Sequence, residues 1–227
     1  MYKRQIDAIR TAGIRRLNIS LDTLQREKFT LITGSDAFER VWQGIEAARH
    51  SGFEPIKINV VALRGVNDDE LVDFSRLTFK YPYHIRFIEH MPIGESQVKA
   101  TLPLLVPEIK AKIGVLGEMQ PVEKDADDGP AERFRFKKAV GEIGFISALS
   151  HHFCGSCNRL RLTASGQLRP CLLSDRQLDL KALMRAGCND HQLAEMFQQA
   201  VRNKPSDHNL AVNDPTGVSC QMSSIGG

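Results

Sequence analysis

Three cysteines carry the first chemical signal in this 227-residue chain: Cys154, Cys157 and Cys171, spaced C-x2-C-x13-C. Three thiolates can hold a metal centre and leave one coordination position open, and an open position can take a substrate. Arg159 and Arg161 follow the second cysteine directly, with Leu160 between them. Their charge suits an anionic ligand. Spacing alone admits four chemistries. A structural zinc site needs four ligands, and His151 or His152, just before the pair, can supply the fourth. A redox CxxC normally opens a helix after a strand, whereas Arg159–Thr163 reads as a strand. A disulfide framework fits poorly with five cysteines (the others are Cys188 and Cys220) and no export signal. The fourth is an iron–sulfur cluster on three cysteines with one iron free for another ligand. By spacing, zinc is favoured over the cluster, because CxxC zinc sites are common. Cys188 and Cys220 read as small buried apolar residues.

The elements that must position these residues follow from periodicity. Residues 2–12 read as a helix ended by Gly13, and Arg15–Leu21 as a strand. A helix capped by Asp36 carries Phe38, Val41, Trp42 and Ile45 and ends at Gly52. Ile56–Leu63 is a second strand. Asn67 or Asp68 caps a helix with Leu71, Val72 and Phe74, and Ile85–Ile88 is a third strand. This alternation predicts an α/β fold with parallel strands and helical crossovers. Ligand groups in such sheets gather at the C-terminal strand ends, here Ser20, Asp22, Asn59, Glu89 and Met91. Beyond about residue 95 the pattern changes. Pro103–Gly114 reads as a helix with Thr101 near its cap, Glu123–Gly129 as a charged loop, and Arg133–Lys137 and Glu142–Ala148 as paired strands. The cysteine segment forms a hairpin turning at Ser165–Gly166. Helices over Asp179–Ala186 and Asn189–Arg202 follow, the second burying Leu193, Met196, Phe197, Ala200 and Val201. The expected division is 1–100, an α/β portion, and 101–227, an α+β portion; the resemblance given below implies that these are a partial barrel and a metal-cluster domain.

Composition bounds the partners. Apolar content is 42%, charged content 25% and formal net charge +3. That charge is too mild for a nucleic-acid coat. No apolar run is long enough for a bilayer span and no secretory h-region opens the chain, so no membrane is expected and the cytoplasm is.

Several segments together carry a resemblance: Leu17–Leu24 (LNISLDTL), Ile32-Thr-Gly34, Lys57–Val60 (KINV), Arg86–Met91 (RFIEHM), Cys154–Arg161 (CGSCNRLR) and a Gly226-Gly227 terminus. In this order they resemble the molybdenum-cofactor biosynthesis GTP 3′,8-cyclases of the radical S-adenosylmethionine superfamily, over essentially the whole chain. The resemblance reverses the zinc preference. It implies an incomplete TIM-type barrel and a C-terminal [4Fe–4S] cluster on Cys154, Cys157 and Cys171. It also implies contacts to GTP from Lys57, Arg159, Leu160 and Arg161, and to S-adenosylmethionine from Ser20 and Met91. Arg86, Gly226 and Gly227 would line the active site. An inward lysine on a buried strand is costly without an anionic partner, which suits Lys57 to that role. The family also implies a homodimer. Its activity converts GTP, by a 5′-deoxyadenosyl radical, to a 3′,8-cyclised nucleotide on the way to cyclic pyranopterin monophosphate. The family's first cluster motif, C-x3-C-x2-C, is absent from this sequence. The expectation is therefore a chain shortened at its N-terminus, without the cluster that cleaves S-adenosylmethionine, with no catalytic residue of its own and no activity alone. The rivals are a zinc-stabilised binding module and another radical enzyme with an auxiliary cluster.

Overall fold

The computed structural model describes residues 5–93, 102–123, 129–151, 154–206, 218 and 222–225. It divides into two compact units, one of residues 1–90 and 98–150, the other of residues 91–97 and 151–227. The boundary expected near residue 100 falls inside the first unit, because strands beyond that point join its sheet.

The first unit is α/β. Its strands are β1 (Leu17–Ser20), β2 (Ile56–Ala62), β3 (Tyr83–Glu89), β4 (Met119–Pro121), β5 (Glu132–Phe136) and β6 (Glu142–Ile146). They lie in the order β1-β2-β3-β6-β5-β4. The first four in that order run parallel; β5 pairs antiparallel with β6, and β4 pairs antiparallel with β5. The helices are α1 (Ile6–Thr11), α2 (Arg26–Thr33), α3 (Phe38–His50), α4 (Leu71–Lys80) and α5 (Val106–Ile113).

Strict alternation along β2 and β3 separates two faces. One carries Ile56, Ile58, Val60, Ala62, Tyr83, Ile85 and Phe87, all buried. They form one core with Ile45 and Ala48 of α3, Phe74 of α4, and Ile109 and Ile113 of α5. Burying such side chains contributes about 1.5–3 kcal/mol each, which is why the crossover helices settle on this face. The other face carries the polar residues of the same strands and is only half-buried.

Several local expectations are corrected. Asp36 does not cap α3: its carboxylate accepts from Arg26 Nε at 2.7 Å, and Ala37 stands at the cap without a side-chain bond. Neither Asn67 nor Asp68 caps α4, which starts after Glu70. Asn67 is instead buried, accepting from Leu63 N–H at 2.7 Å and donating to Asp22 O and Val61 O, so it ties the ends of β1 and β2 together. Asp68 accepts from Gly65 N–H and Lys112 Nζ. Helix α2, not anticipated, ends on Gly34 in the left-handed conformation at φ 70°. Helix α5 begins at Val106 rather than Pro103, and Thr101 and residues 124–128 of the charged loop lie outside the described residues.

Glu89, at the end of β3, is buried yet anionic in type. Its carboxylate accepts from Val106 N–H (2.8 Å) in the first turn of α5, from Leu149 N–H (2.7 Å), and from Ser150 N–H (2.9 Å) and Oγ (2.5 Å). A buried carboxylate is tolerable when every lone pair is used and a helix N-terminus faces it. Glu89→Ala strands several buried donors and is expected to lower the unfolding free energy by about 3 kcal/mol or more, measured by urea titration.

The second unit contains a three-stranded sheet of β7 (Arg161–Leu162), β8 (Gln167–Arg169) and β9 (Leu178–Asp179), with helices α6 (Leu180–Arg185) and α7 (Asp190–Arg202). The hairpin turns where expected. Gly166 has φ 87°, and a Cβ there would come within 2.5 Å of Lys181 Cβ. Asp179 caps α6 through Ala182 N–H, and Asn189 with Gln192 forms a capping box on α7. Leu168, Leu180 and Ala200 form the small core, with Leu160, Leu178, Leu193 and Met196 packed on it. Phe197 and Val201, expected in the core, are 40% and 57% exposed. The stripe through Leu193, Met196 and Ala200 is narrow, and these two sit on its flank.

Candidate metal centre and nucleotide-binding residues

The cysteine segment builds its site by short-range geometry. Residues Cys154–Ser156 form a 3-10 turn, and Cys157 N–H donates to Cys154 O at 3.1 Å. The turn returns the second cysteine toward the first. Cys171 comes from the far side of the hairpin, just after β8, whose register sets Arg161 opposite Arg169 and Leu162 opposite Leu168. Cys154, Cys157 and Cys171 are partly accessible, and none is in a disulfide.

Arg161 ties this constellation together. Burial, with the charge of Arg159, pulls its pKa below the ordinary arginine value, while the Cys171 and Cys157 thiols act in the opposite direction; Arg169 also faces it. Cys157, Cys171, Arg159, Arg161 and Arg169 thus share one electrostatic environment. Leu160 faces the other way, into the small core. Arg159 is exposed and Arg161 half-buried. Regular pairing starts only at Arg161, so Arg159 precedes the strand.

Three thiols are the donor type that an iron–sulfur cluster takes, one on each of three irons, whereas a structural zinc takes four ligands on one ion. Among the described residues no three His, Cys, Asp or Glu side chains form a group that could hold a metal ion. His151 is exposed; His152 and Cys220 lie outside the described residues, as do Gly226 and Gly227. Cys188 sits past α6 and is partly accessible rather than buried.

The first unit holds a separate polar array on the half-buried face of its sheet. Register aligns Asn18, Lys57, His84 and Glu142 in one cross-strand row, and Ser20, Asn59, Arg86, Gly144 and Arg133 in the next. Arg86 Nη1 donates to Asn18 Oδ1 at 3.3 Å. Gly144 makes room for it, since a Cβ there would stand 3.1 Å from Arg86 Cγ. Lys57 is half-buried and Ser20 exposed at the strand end. Asp22, just beyond, accepts from Val61 N–H at 2.8 Å; burial raises its carboxyl pKa, and that bond lowers it in part. Met91 belongs to the second unit; it is half-buried and its carbonyl accepts from Ile93 N–H at 2.9 Å.

Sequence reasoning passed over His84, Glu142, Arg133, Arg135, Arg169 and Lys204. Glu142 is buried and accepts from Arg133 Nε (2.8 Å), Arg133 Nη2 (3.1 Å) and Arg135 Nη2 (2.7 Å), with His84 Nδ1 at 3.6 Å. Burial pushes its pKa up, but the Arg133 and Arg135 hydrogen bonds and the His84 charge outweigh it, and the net direction is down. Burial likewise lowers His84, partly opposed by Glu142. Both shifts remove stability in acid. His84 binds a proton more readily unfolded, so stability declines as pH falls below about 6.5; Glu142 adds its loss as pH falls through its depressed value, below about 4.3. Urea titrations across this range should show the decline. His84→Gln should remove part of its upper limb, leaving the contribution of His90, also lowered by burial.

With this geometry in place, comparison with known proteins is decisive. The sequence profile of the Molybdenum Cofactor Synthesis C family matches residues 83–210, and that of the Radical SAM superfamily matches residues 1–78. A relative in Heliobacterium modesticaldum named GTP 3′,8-cyclase is 45% identical over all of this chain and 70% of its own length. The chain belongs to the GTP 3′,8-cyclase family. Another relative of that name, in Moorella thermoacetica, is 46% identical over 89% of this chain and 63% of its own. A third, in Geobacter sulfurreducens, is 42% identical over 96% and 67%. The chain thus spans roughly two thirds of the length of the GTP 3′,8-cyclases it matches. Membership accords with the parallel-rich α/β sheet. Among the described residues no helix is long and apolar enough to cross a membrane.

Proposed function

We propose that this chain carries the GTP-side portion of a GTP 3′,8-cyclase, a lyase-type enzyme of molybdenum-cofactor biosynthesis acting by radical S-adenosylmethionine chemistry in the cytoplasm. The observation that carries this reading is Arg161, gathered with Arg159, Cys157 and Cys171 in one hairpin. Cys154, Cys157 and Cys171 would hold a [4Fe–4S] cluster, which when bound supplies an iron open to the guanine. Arg159 and Arg161 would hold the anionic nucleotide through forked, permanently charged contacts. Leu160, between them, is assigned to the same GTP site and packs on the small core. Lys57 supports GTP binding as a half-buried cation on the polar face of β2, with Arg86 as an active-site lining residue. Ser20 and Met91 are assigned to S-adenosylmethionine, Gly226 and Gly227 to the active-site tail. The parallel strands are read as part of an incomplete TIM-type barrel, and the working enzyme as a homodimer.

The test is anaerobic reconstitution with metal and sulfide analysis. About four irons per chain with acid-labile sulfide are expected; a single colourless zinc would establish the binding-module reading instead. Titration of the iron-loaded form with GTP then separates a GTP site from an auxiliary cluster serving another substrate. All five cysteines lie at position 154 or later, so this polypeptide has no second set for a cluster that cleaves S-adenosylmethionine. The reconstituted 227-residue chain is expected to release no 5′-deoxyadenosine from S-adenosylmethionine under dithionite, measured by chromatography.

A further inference from the structure

The hairpin that carries the cysteines is paired at its closed end and open at the end where the ligands lie. The β7–β8 register stops at Arg161 opposite Arg169, so Cys157 and Cys171 both lie beyond the last pair. There the side chain of Lys204 bridges the two segments. Lys204, just past the end of α7, donates to Arg159 O at 2.7 Å and to Pro170 O at 2.8 Å. Arg159 is two residues after Cys157, and Pro170 immediately precedes Cys171. One ammonium therefore spans the open mouth by backbone contacts, independent of the side chains at 159 and 170. A second cation closes the Cys171 loop on itself. Arg169, 1% exposed, donates to Ser174 O at 2.5 Å and lies 3.4 Å from Asp175 Oδ1. Cys171 is thus enclosed in a short ring of chain between Arg169 and Ser174.

We propose that Lys204 is a positioning residue that fixes the separation of the Cys157 and Cys171 segments, with Arg169 as a second brace on the Cys171 loop. The consequence for the metal rests on the cluster reading above; the bracing itself does not require metal. A ligand triad held near its final geometry loses less freedom on binding a cluster. Lysine suits the task because its ammonium has three donors on a rotatable stem and can serve two carbonyls at once.

Lys204→Met keeps the stem and removes the donors; Lys204→Arg restores donors. In the metal-free, reduced full chain, amide hydrogen exchange in residues 158–162 and 170–175 should accelerate about tenfold in Lys204→Met, with α7 unchanged and the arginine variant near wild type. In the reconstituted chain, iron release to a chelator should be about ten- to a hundredfold faster in Lys204→Met, with a shifted electron paramagnetic resonance signal of the reduced cluster and recovery in Lys204→Arg. Unchanged exchange in both segments overturns the proposal. So does equal acceleration through α7 in both variants, which would mean general packing. A wild-type chain that takes up no iron and sulfide defeats the cluster reading, while the metal-free exchange comparison still decides the brace.

Discussion

Cys171→Ser, reconstituted anaerobically, is expected to lose most of its iron and acid-labile sulfide, whereas Cys188→Ser keeps both. A serine hydroxyl has nearly the size of the thiol but does not ionise near neutrality, and the soft thiolate is what iron–sulfur clusters require. The substitution should leave the polypeptide folded. Cys171 is only partly buried, and the hairpin is held elsewhere, by the β7–β8 pairing, the turn at Gly166 and the small core. Far-ultraviolet circular dichroism of the metal-free variant should match wild type. The same loss is expected for Cys154→Ser and Cys157→Ser, because a three-ligand cluster has no spare protein ligand. Cys188 is the control, since it lies beyond α6 and outside the hairpin. A Cys171→Ser chain with full iron and sulfide would dismiss this residue as a ligand.

Arg161→Ala should weaken GTP binding to the iron-loaded chain by about ten- to a hundredfold, as expected for loss of charge-assisted hydrogen bonds worth about 1.5–3 kcal/mol. Iron content should not change, because the guanidinium is no ligand. Lysine at this position should recover only part of the affinity: it restores the charge without the planar fork. The cross-strand register sharpens the expectation. Arg161 stands directly opposite Arg169, and like charges so placed are destabilising. The metal-free Arg161→Ala chain should therefore unfold at no lower urea concentration than wild type. Titration calorimetry and iron analysis on the same preparation check both halves, and loss of iron in the alanine variant would reassign Arg161 to cluster support.

The local code of the chain was readable where chemistry is dense in sequence. The cysteine spacing, the paired arginines, the Ser165–Gly166 turn and the parallel strand–helix alternation all depend on neighbours within a few residues. Caps were less readable. Asp36 and Asn67 have the right side chains for helix caps, but partners in other elements, Arg26 in α2, Val61 in β2 and Asp22 beyond β1, compete for the same oxygens and amides and win. The expected boundary near residue 100 misplaced β4–β6 for a related reason. Sequence distance separates β3 from β6, yet the apolar face of the sheet is completed only when Phe145 packs beside Phe87.

By itself the sequence determined the thiol spacing, the arginines beside it and the class of fold, because cysteine spacing and strand–helix periodicity are short-range properties. Only the tertiary structure decided which polar groups are buried and what satisfies them. Glu89 closes on four donors from residues 106, 149 and 150, Glu142 collects two arginines, and Lys204 reaches back across 45 residues to the carbonyl of Arg159. Burial and hydrogen-bond closure depend on where segments meet in space: Glu89 and Lys204 find partners 17 or more residues away, and Glu142 finds its arginines only once β5 folds back on β6.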